Sequence, residues 1–152
     1  MVRIVAPAAL LAVALGAGEG QRAAAQSVAQ PIAVIVNDSV PARELTRAAV
    51  RRFFLLRDHF WSSGERVAPV NLPAGSALRE AFSHAVLGGG SRDFSLYWND
   101  LYFHGTLPPP TVASEQAVVL YVTRTRGAIG YVSQATAAKL PDGVRVALTV
   151  EP

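Results

Sequence analysis

Residues 32–36 read Ile-Ala-Val-Ile-Val and are followed by the turn-forming residues Asn37, Asp38 and Ser39. An unbroken apolar run rich in β-branched side chains is typical of a strand buried on both faces, whereas a half-exposed strand alternates apolar and polar residues. Strands of this kind are common in parallel sheets that helices cover on both sides. This segment therefore predicts an α/β fold with a mostly parallel sheet.

Strand-like and helix-like segments alternate through the rest of the chain. The pattern predicts a helix from Pro41 that ends before Ser62, strands over 66–72, 111–113, 128–132 and 144–150, and helices opened by Ser76, Ser91 and Ser114. A serine before a helix can accept a hydrogen bond from an otherwise unpaired backbone N–H group. The order β-α-β-α-α-β-α-β-β predicts a single three-layer α/β domain.

Apolar residues recur at helical spacing in these segments, which predicts where the core lies. On the first helix the apolar face is expected to comprise Leu45, Ala48, Ala49, Phe53 and Leu56. Periodicity also favours a core position over a base-stacking surface for Tyr97 and Trp98. We expect Phe53, Phe82, Trp98 and Ile129 in the interior.

The first 25 residues have the layout of a secretory signal. Arg3 supplies a positive start, residues 4–17 are almost wholly apolar, and Ala23-Ala24-Ala25 provides the small residues that signal peptidase reads. The apolar run is shorter than the roughly 20 residues of a membrane span. We expect cleavage after Ala25, export to the periplasm, a lead-in over 26–31 and one domain over 32–152.

Composition excludes several classes of protein. The chain has 152 residues, no Cys and a formal net charge of only +3, so a disulfide framework and a Cys-ligated zinc module are excluded, and nucleic-acid binding is disfavoured. The arginines at 43, 47, 51 and 52 follow a helical spacing that is more typical of a solvated face than of an anion site.

No catalytic, cofactor or metal motif can be found. His59, His84 and His104 lie on separate elements without a partner at ligand spacing, and neither a G-x-S-x-G nor a phosphate-loop sequence occurs. We therefore expect no catalytic residue, no cofactor, no metal and no enzymatic activity.

One turn has a physical reason to bind an anion. Residues 71–76 join a strand to a helix, and ligands of open α/β sheets collect at such carboxyl ends of strands. The backbone amides of Gly75, Ser76 and Ala77 would point at an anion, with the positive end of the helix dipole behind them. The candidate site is Asn71, Gly75, Ser76 and Ala77. The alternative is an ordinary turn in which Ser76 only caps its helix.

Four stretches, in this order, resemble a known family. They are IAVIVNDSVPARELTRAAVRRFFLL over 32–56, VAPVNLPAGSALREAFSHAVLG over 67–88, YWNDLYFHG over 97–105 and PPPTVASEQAVVLYVTRTRGAIGYV over 108–132. The chain resembles the short, single-lobe members of the phosphate ABC transporter substrate-binding proteins. The resemblance implies one lobe of a type 2 periplasmic binding fold, an exported protein and no catalysis.

The resemblance also implies that the Gly75-Ser76 turn corresponds to the family's oxyanion-binding turn, typically R-P/S-x-G-S-G-T. Here Leu72 occupies the arginine position, Ala77 the second glycine and Leu78 the threonine. Gly75, Ser76, Arg79 and Glu80 are retained from the family's pattern. The expected ligand is a phosphate-like anion held for or alongside an ABC transporter, with a homodimer as one way to complete the cleft. The alternative is a non-catalytic periplasmic protein-interaction or sensory module.

Overall fold

The computed structural model describes residues 30–41 and 45–152. The expected signal segment, most of the lead-in and Arg43 lie outside the described residues. The helices and strands, in chain order, are β1 (Ile32–Asn37), α1 (Arg47–Phe54), β2 (Ala68–Pro69), α2 (Ala77–Phe82), α3 (Ser95–Phe103), α4 (Glu115–Arg124), β3 (Ala128–Ser133), α5 (Gln134–Ala137) and β4 (Val144–Val150). A π-helical segment, Ser83–Leu87, continues α2, and a 3-10 turn, Ser91–Phe94, leads into α3.

The four described strands form one mixed sheet in the order β2-β3-β1-β4. β1 lies inside the sheet and pairs antiparallel with both β3 and β4, while β2 pairs parallel with β3. The short edge strand β2 contains Pro69, which cannot donate a ladder hydrogen bond and is tolerated at an edge. Its neighbours make those bonds instead, from Ala68 N to the Gly127 carbonyl and from Val70 N to the Ile129 carbonyl, both 3.0 Å.

The expectation of a mostly parallel sheet is wrong for the described strands, because two of the three pairings are antiparallel. All six residues of β1 are buried, as the apolar run predicts. Continuous apolarity reports that both faces of a strand are covered, and it carries no information about the direction of the neighbouring strands. The interior position of β1 produces the same pattern in a mixed sheet.

The core lies on both sides of β3, where helices pack against successive residues. Tyr131 is fully buried and its ring stacks on Phe82 of α2, with centroids 3.8 Å apart. Gly130 points the other way, where an added Cβ would come within 2.6 Å of Val118 and 3.3 Å of Val122 on α4. The absence of a side chain at Gly130 therefore lets α4 approach the sheet closely.

Helix α1 is shorter than the sequence predicts. It begins at Arg47, with the Thr46 hydroxyl accepting from the Ala49 amide, and it does not begin at Pro41. A proline in the first turn of a helix leaves no N–H group there to be satisfied. The Thr46 hydroxyl instead accepts a hydrogen bond from such an N–H group. The helix ends at Phe54, and Leu56 adopts a positive φ of 54°.

Three of the four side chains expected in the interior are buried: Phe53 at 6% exposed, and Phe82 and Ile129 at 0%. Trp98 is only half buried, packing with Tyr97 against the edge of the core. None of the residues of α3 is buried. Helical periodicity predicts which side chains of a helix are more buried than the others. It does not predict how deeply the helix as a whole is buried.

Candidate functional site

The turn at residues 73–76 lies between the end of the β2 region and the start of α2. Gly75 has a φ of +89°, a left-handed conformation that favours glycine. The Ser76 amide donates to the Pro73 carbonyl at 3.1 Å, and the Ser76 hydroxyl accepts from the Arg79 amide at 3.3 Å. The prediction that Ser76 caps this helix is confirmed. The helical run that follows is continuous from Ala77 to Leu87.

Asn71 lies shortly after strand β2 and just before this turn. It is 4% exposed and forms a parallel bridge with Thr111. Its amide donates to the Pro110 carbonyl at 2.8 Å, and its side-chain oxygen lies 3.4 Å from the Tyr131 hydroxyl. Asn71 thus orients the chain as it enters the turn, and its backbone groups and side-chain oxygen have partners in the protein.

The Tyr131 hydroxyl connects β3 to the same turn. It accepts a hydrogen bond from the Leu72 amide at 3.3 Å and donates toward Asn71. Burial raises the pKa of Tyr131, and the nearby Arg79 guanidinium opposes part of this rise. The phenol is therefore protonated at neutral pH and can act as a donor.

Arg79 was not among the residues that the sequence placed in the site, yet it folds back against the turn. Its Nη1 donates to the Leu72 carbonyl at 3.0 Å, and its Nε is buried without a hydrogen-bond partner among the described residues. Two signals in the sequence pointed to it: Arg79 is retained from the motif of the resembled family, and the i, i+3 and i+4 spacing puts it on the same helix face as Phe82 and Ser83.

On the outer side of the turn lies a polar cavity of about 550 Å³, lined by Ala74, Gly75, Glu80, His84, Gly90, Ser91, Arg92 and Asp93. The Glu80 carboxylate accepts hydrogen bonds from the Ser91 hydroxyl and from the Ser91 amide, the latter at 3.1 Å. These bonds, with a smaller contribution from the Gly75 amide, hold the pKa of Glu80 below its usual range. The carboxylate is ionised at neutral pH.

These contacts determine which of the backbone amides of Gly75, Ser76 and Ala77 is available to an anion. The Ser76 amide is already paired with Pro73, and the Gly75 amide faces the Glu80 carboxylate. The Ala77 amide opens the helix and has no acceptor within the described part of the chain. An anion at this turn would therefore meet the start of α2 from the side away from Glu80.

A smaller apolar hollow of about 180 Å³ lies elsewhere, lined by Val36, Val40, Pro41, Leu45, Phe53, Trp61, Ser62, Arg145 and Ala147. Arg145 Nη2 donates to the carbonyls of Val40 and Pro41 at 2.9 and 3.1 Å. The hollow contains none of the residues of the turn, and its arginine is engaged by backbone.

The three histidines remain apart and exposed: His59, His84 and His104. Across residues 30–41 and 45–152, no group of three or more His, Asp or Glu residues could hold a metal ion. In the same ranges, no helix is long and apolar enough to cross a membrane.

Three solved structures have a similar fold. A protein of Clostridium perfringens assigned as a phosphate ABC transporter substrate-binding protein, solved with bound phosphate, superposes with a TM-score of 0.60 and 20% identity over 77% of this chain. An ABC-type phosphate transport receptor of Vibrio cholerae gives 0.59 and 18%, also over 77%. A protein of Planctomyces limnophilus assigned as a phosphate binding protein gives 0.58 and 16%, again over 77%.

The match covers 44%, 45% and 40% of those three chains, so this chain spans less than half the length of each. No family model matches the sequence. No curated protein matches it either. At these identities the likeness concerns the fold alone, and it supports the α/β binding-protein fold that the sequence resemblance implies.

Proposed function

We propose that this protein is an exported, non-enzymatic solute-binding lobe that holds a small phosphate-like oxyanion at the turn formed by Asn71, Gly75, Ser76 and Ala77. The observation that carries the proposal is the geometry of the turn. Gly75 takes the left-handed conformation and Ser76 caps an eleven-residue helical run, from Ala77 to Leu87. The first amides of that run and the helix dipole attract negative charge. The bound phosphate named for the C. perfringens protein supports this choice of ligand.

The place and partners of the protein follow from the same proposal. Residues 1–25 direct the chain to the periplasm, where cleavage leaves Gln26 as the first residue. There the domain acts for or alongside an ABC transporter. In the same proposal, a second copy of this protein completes the cleft around the anion.

Titration calorimetry with inorganic phosphate tests the binding proposal. The full-length sequence is expressed so that the cell processes it, and mass spectrometry of the periplasmic protein checks for the Gln26 terminus. We expect micromolar phosphate affinity. The absence of a measurable heat of binding at millimolar phosphate would contradict the proposal.

Two substitutions locate the site on the turn. Gly75→Val should abolish most of the affinity, because a β-branched residue resists the positive φ and obstructs the approach. An added Cβ at Gly75 has no atom within 4 Å, so the change should not disturb packing. Ser76→Ala should weaken binding only modestly, since the amides remain. A folded Gly75→Val variant with unchanged affinity would remove the turn from consideration.

The second candidate function, a protein-interaction module, is favoured by the surface of α3. On this helix Leu96 and Phe103 are 83% and 85% exposed and Tyr102 is also largely exposed, as is Leu107 in the loop that follows. Since α3 follows directly on the 3-10 turn whose residues line the polar cavity, a second copy seated on α3 would lie beside this cavity, on the Glu80 side of the turn. We expect Phe103→Asp to shift the sedimentation of the protein toward the monomer. Monomeric wild-type protein at all concentrations would contradict this candidate.

A further inference from the structure

Helix α2 carries a cation on the face that it turns toward the sheet. Phe82 and Ser83 are fully buried and Val86 is 4% exposed, so these positions define the inward face. Arg79 precedes them by three, four and seven residues and therefore lies on the same face. An arginine in such a position is rarely left without a partner, because removing a charge from water is costly unless it is paired.

The partners of Arg79 in the described residues do not neutralise it. Nη1 has the Leu72 carbonyl, and the guanidinium lies near the Tyr131 phenol, which is neutral. None of the described ion pairs involves Arg79. Its Nε is buried and unpaired, and so is the hydroxyl of Ser83, one helical turn further on. The structure thus contains an inward-facing positive charge that lacks a negative partner.

We propose that Arg79 supplies the countercharge for the oxyanion bound at the Gly75–Ala77 turn. The inference rests on the proposed function and deepens it. Leu72 occupies the position at which the resembled family carries its arginine, and the Arg79 guanidinium is bonded to the carbonyl of this same residue. The Arg79 guanidinium therefore lies beside the start of the turn, next to the residue that replaces the family's arginine. A guanidinium offers several donors in one plane, which suits the oxygens of a phosphate-like ion.

The first test uses substitutions and calorimetry with inorganic phosphate. Arg79→Gln removes the charge but retains a donor for the Leu72 carbonyl, whereas Arg79→Lys retains the charge. We expect Arg79→Gln to lower the phosphate affinity by about 10- to 100-fold, the range for losing a hydrogen bond to a charged group. Arg79→Lys should retain most of the affinity. Arg124→Gln, at the exposed end of α4, is the matched control and should change little.

The second test uses the unaltered protein and keeps the proposal falsifiable if Arg79→Gln does not fold. The Nε–H signal of Arg79, identified by its absence in Arg79→Lys, is followed by nitrogen-proton NMR during a phosphate titration. We expect this signal to shift and its hydrogen exchange to slow as phosphate binds.

The outcomes separate the two proposals. If the Gly75 and Ala77 amide signals shift while the Arg79 Nε–H signal stays constant, Arg79 is not the countercharge. A folded Arg79→Gln variant with wild-type affinity would overturn the assignment in the same way. If the unaltered protein binds no phosphate by either method, the proposed function fails and the role of Arg79 fails with it.

Discussion

At the scale of single residues, the charges around the turn have opposite signs on its two sides. Arg79 folds inward against the Leu72 carbonyl, while the Glu80 carboxylate lies in the outer cavity, bonded to Ser91 and facing the Gly75 amide. Consecutive helix residues point about 100° apart, so neighbouring positions can serve opposite sides of one turn. Glu80 would thus repel an anion at this turn, and Arg79 would attract it.

Glu80→Gln is expected to strengthen phosphate binding by about threefold, the order of magnitude for a charge interaction at an exposed site. The amide oxygen of Gln can still accept from Ser91, so the loop should keep its position. Calorimetry with inorganic phosphate measures the change, and Asp142→Asn on an exposed turn serves as the control. An affinity that is unchanged or weaker would show that Glu80 does not oppose the ligand.

At the scale of elements, a carboxylate joins the start of α4 to the end of β3. Glu115 Oε2 accepts from both the amide and the hydroxyl of Ser133, each at 2.7 Å. The Ser133 hydroxyl in turn caps α5 by accepting from the Thr136 amide at 3.3 Å. Burial raises the pKa of Glu115, but the hydrogen bonds from Ser133 and Thr136 outweigh it, so the pKa lies below its ordinary value of 4.5.

The sign of this shift predicts a loss of stability in acid. Because folding lowers the pKa of Glu115, the unfolded chain binds more protons, and the stabilisation is complete above about pH 4.5 and lost as the pH falls through the folded value. We expect Glu115→Gln to lower the free energy of unfolding by about 1 kcal/mol at pH 7 and to flatten its dependence on pH below 5. Urea unfolding at several pH values measures both effects. An equally steep acid dependence in the variant would assign it to other carboxylates.

At the scale of the whole molecule, the aromatic cluster on one side of the sheet joins α1, α2 and β3. Phe82 stacks on Tyr131 with an interplanar angle of 4° and meets the Phe54 ring edge-on at 4.8 Å between centroids. The same Tyr131 bonds to Asn71 and Leu72 through its hydroxyl. The Tyr131 side chain therefore packs in the core through its ring and binds the start of the turn through its hydroxyl.

Phe82→Ala should lower the free energy of unfolding by about 3–5 kcal/mol, because it leaves a cavity beside Tyr131. Phe60→Ala is the matched control: Phe60 is 60% exposed and lies outside the surface of α3, and its removal should cost only about 0.5 kcal/mol. Chemical unfolding followed by tryptophan fluorescence measures both. A cost below about 1 kcal/mol for Phe82→Ala would contradict the buried stack.

Local physics explains why the sequence predicted the turn. Ser76 caps its helix and Gly75 takes a positive φ because both effects depend on residues within three or four positions. The same reasoning predicted burial along β1 and at Phe82 from the spacing of apolar residues alone. Capping, backbone freedom and amphipathic spacing are properties of short segments, so they can be predicted directly from the sequence.

The sequence alone therefore determined an α/β chain, its main segments and the turn proposed to bind a ligand. Only the tertiary structure decided that β1 pairs antiparallel with both neighbours, that Trp98 is half buried, and that Arg79 lies against the Leu72 carbonyl while Glu80 faces Gly75. The physical reason is the distance along the sequence between the residues that interact. Strand direction, depth of burial and the partner of a long charged side chain depend on contacts between distant segments, and a local pattern is compatible with several arrangements of those segments.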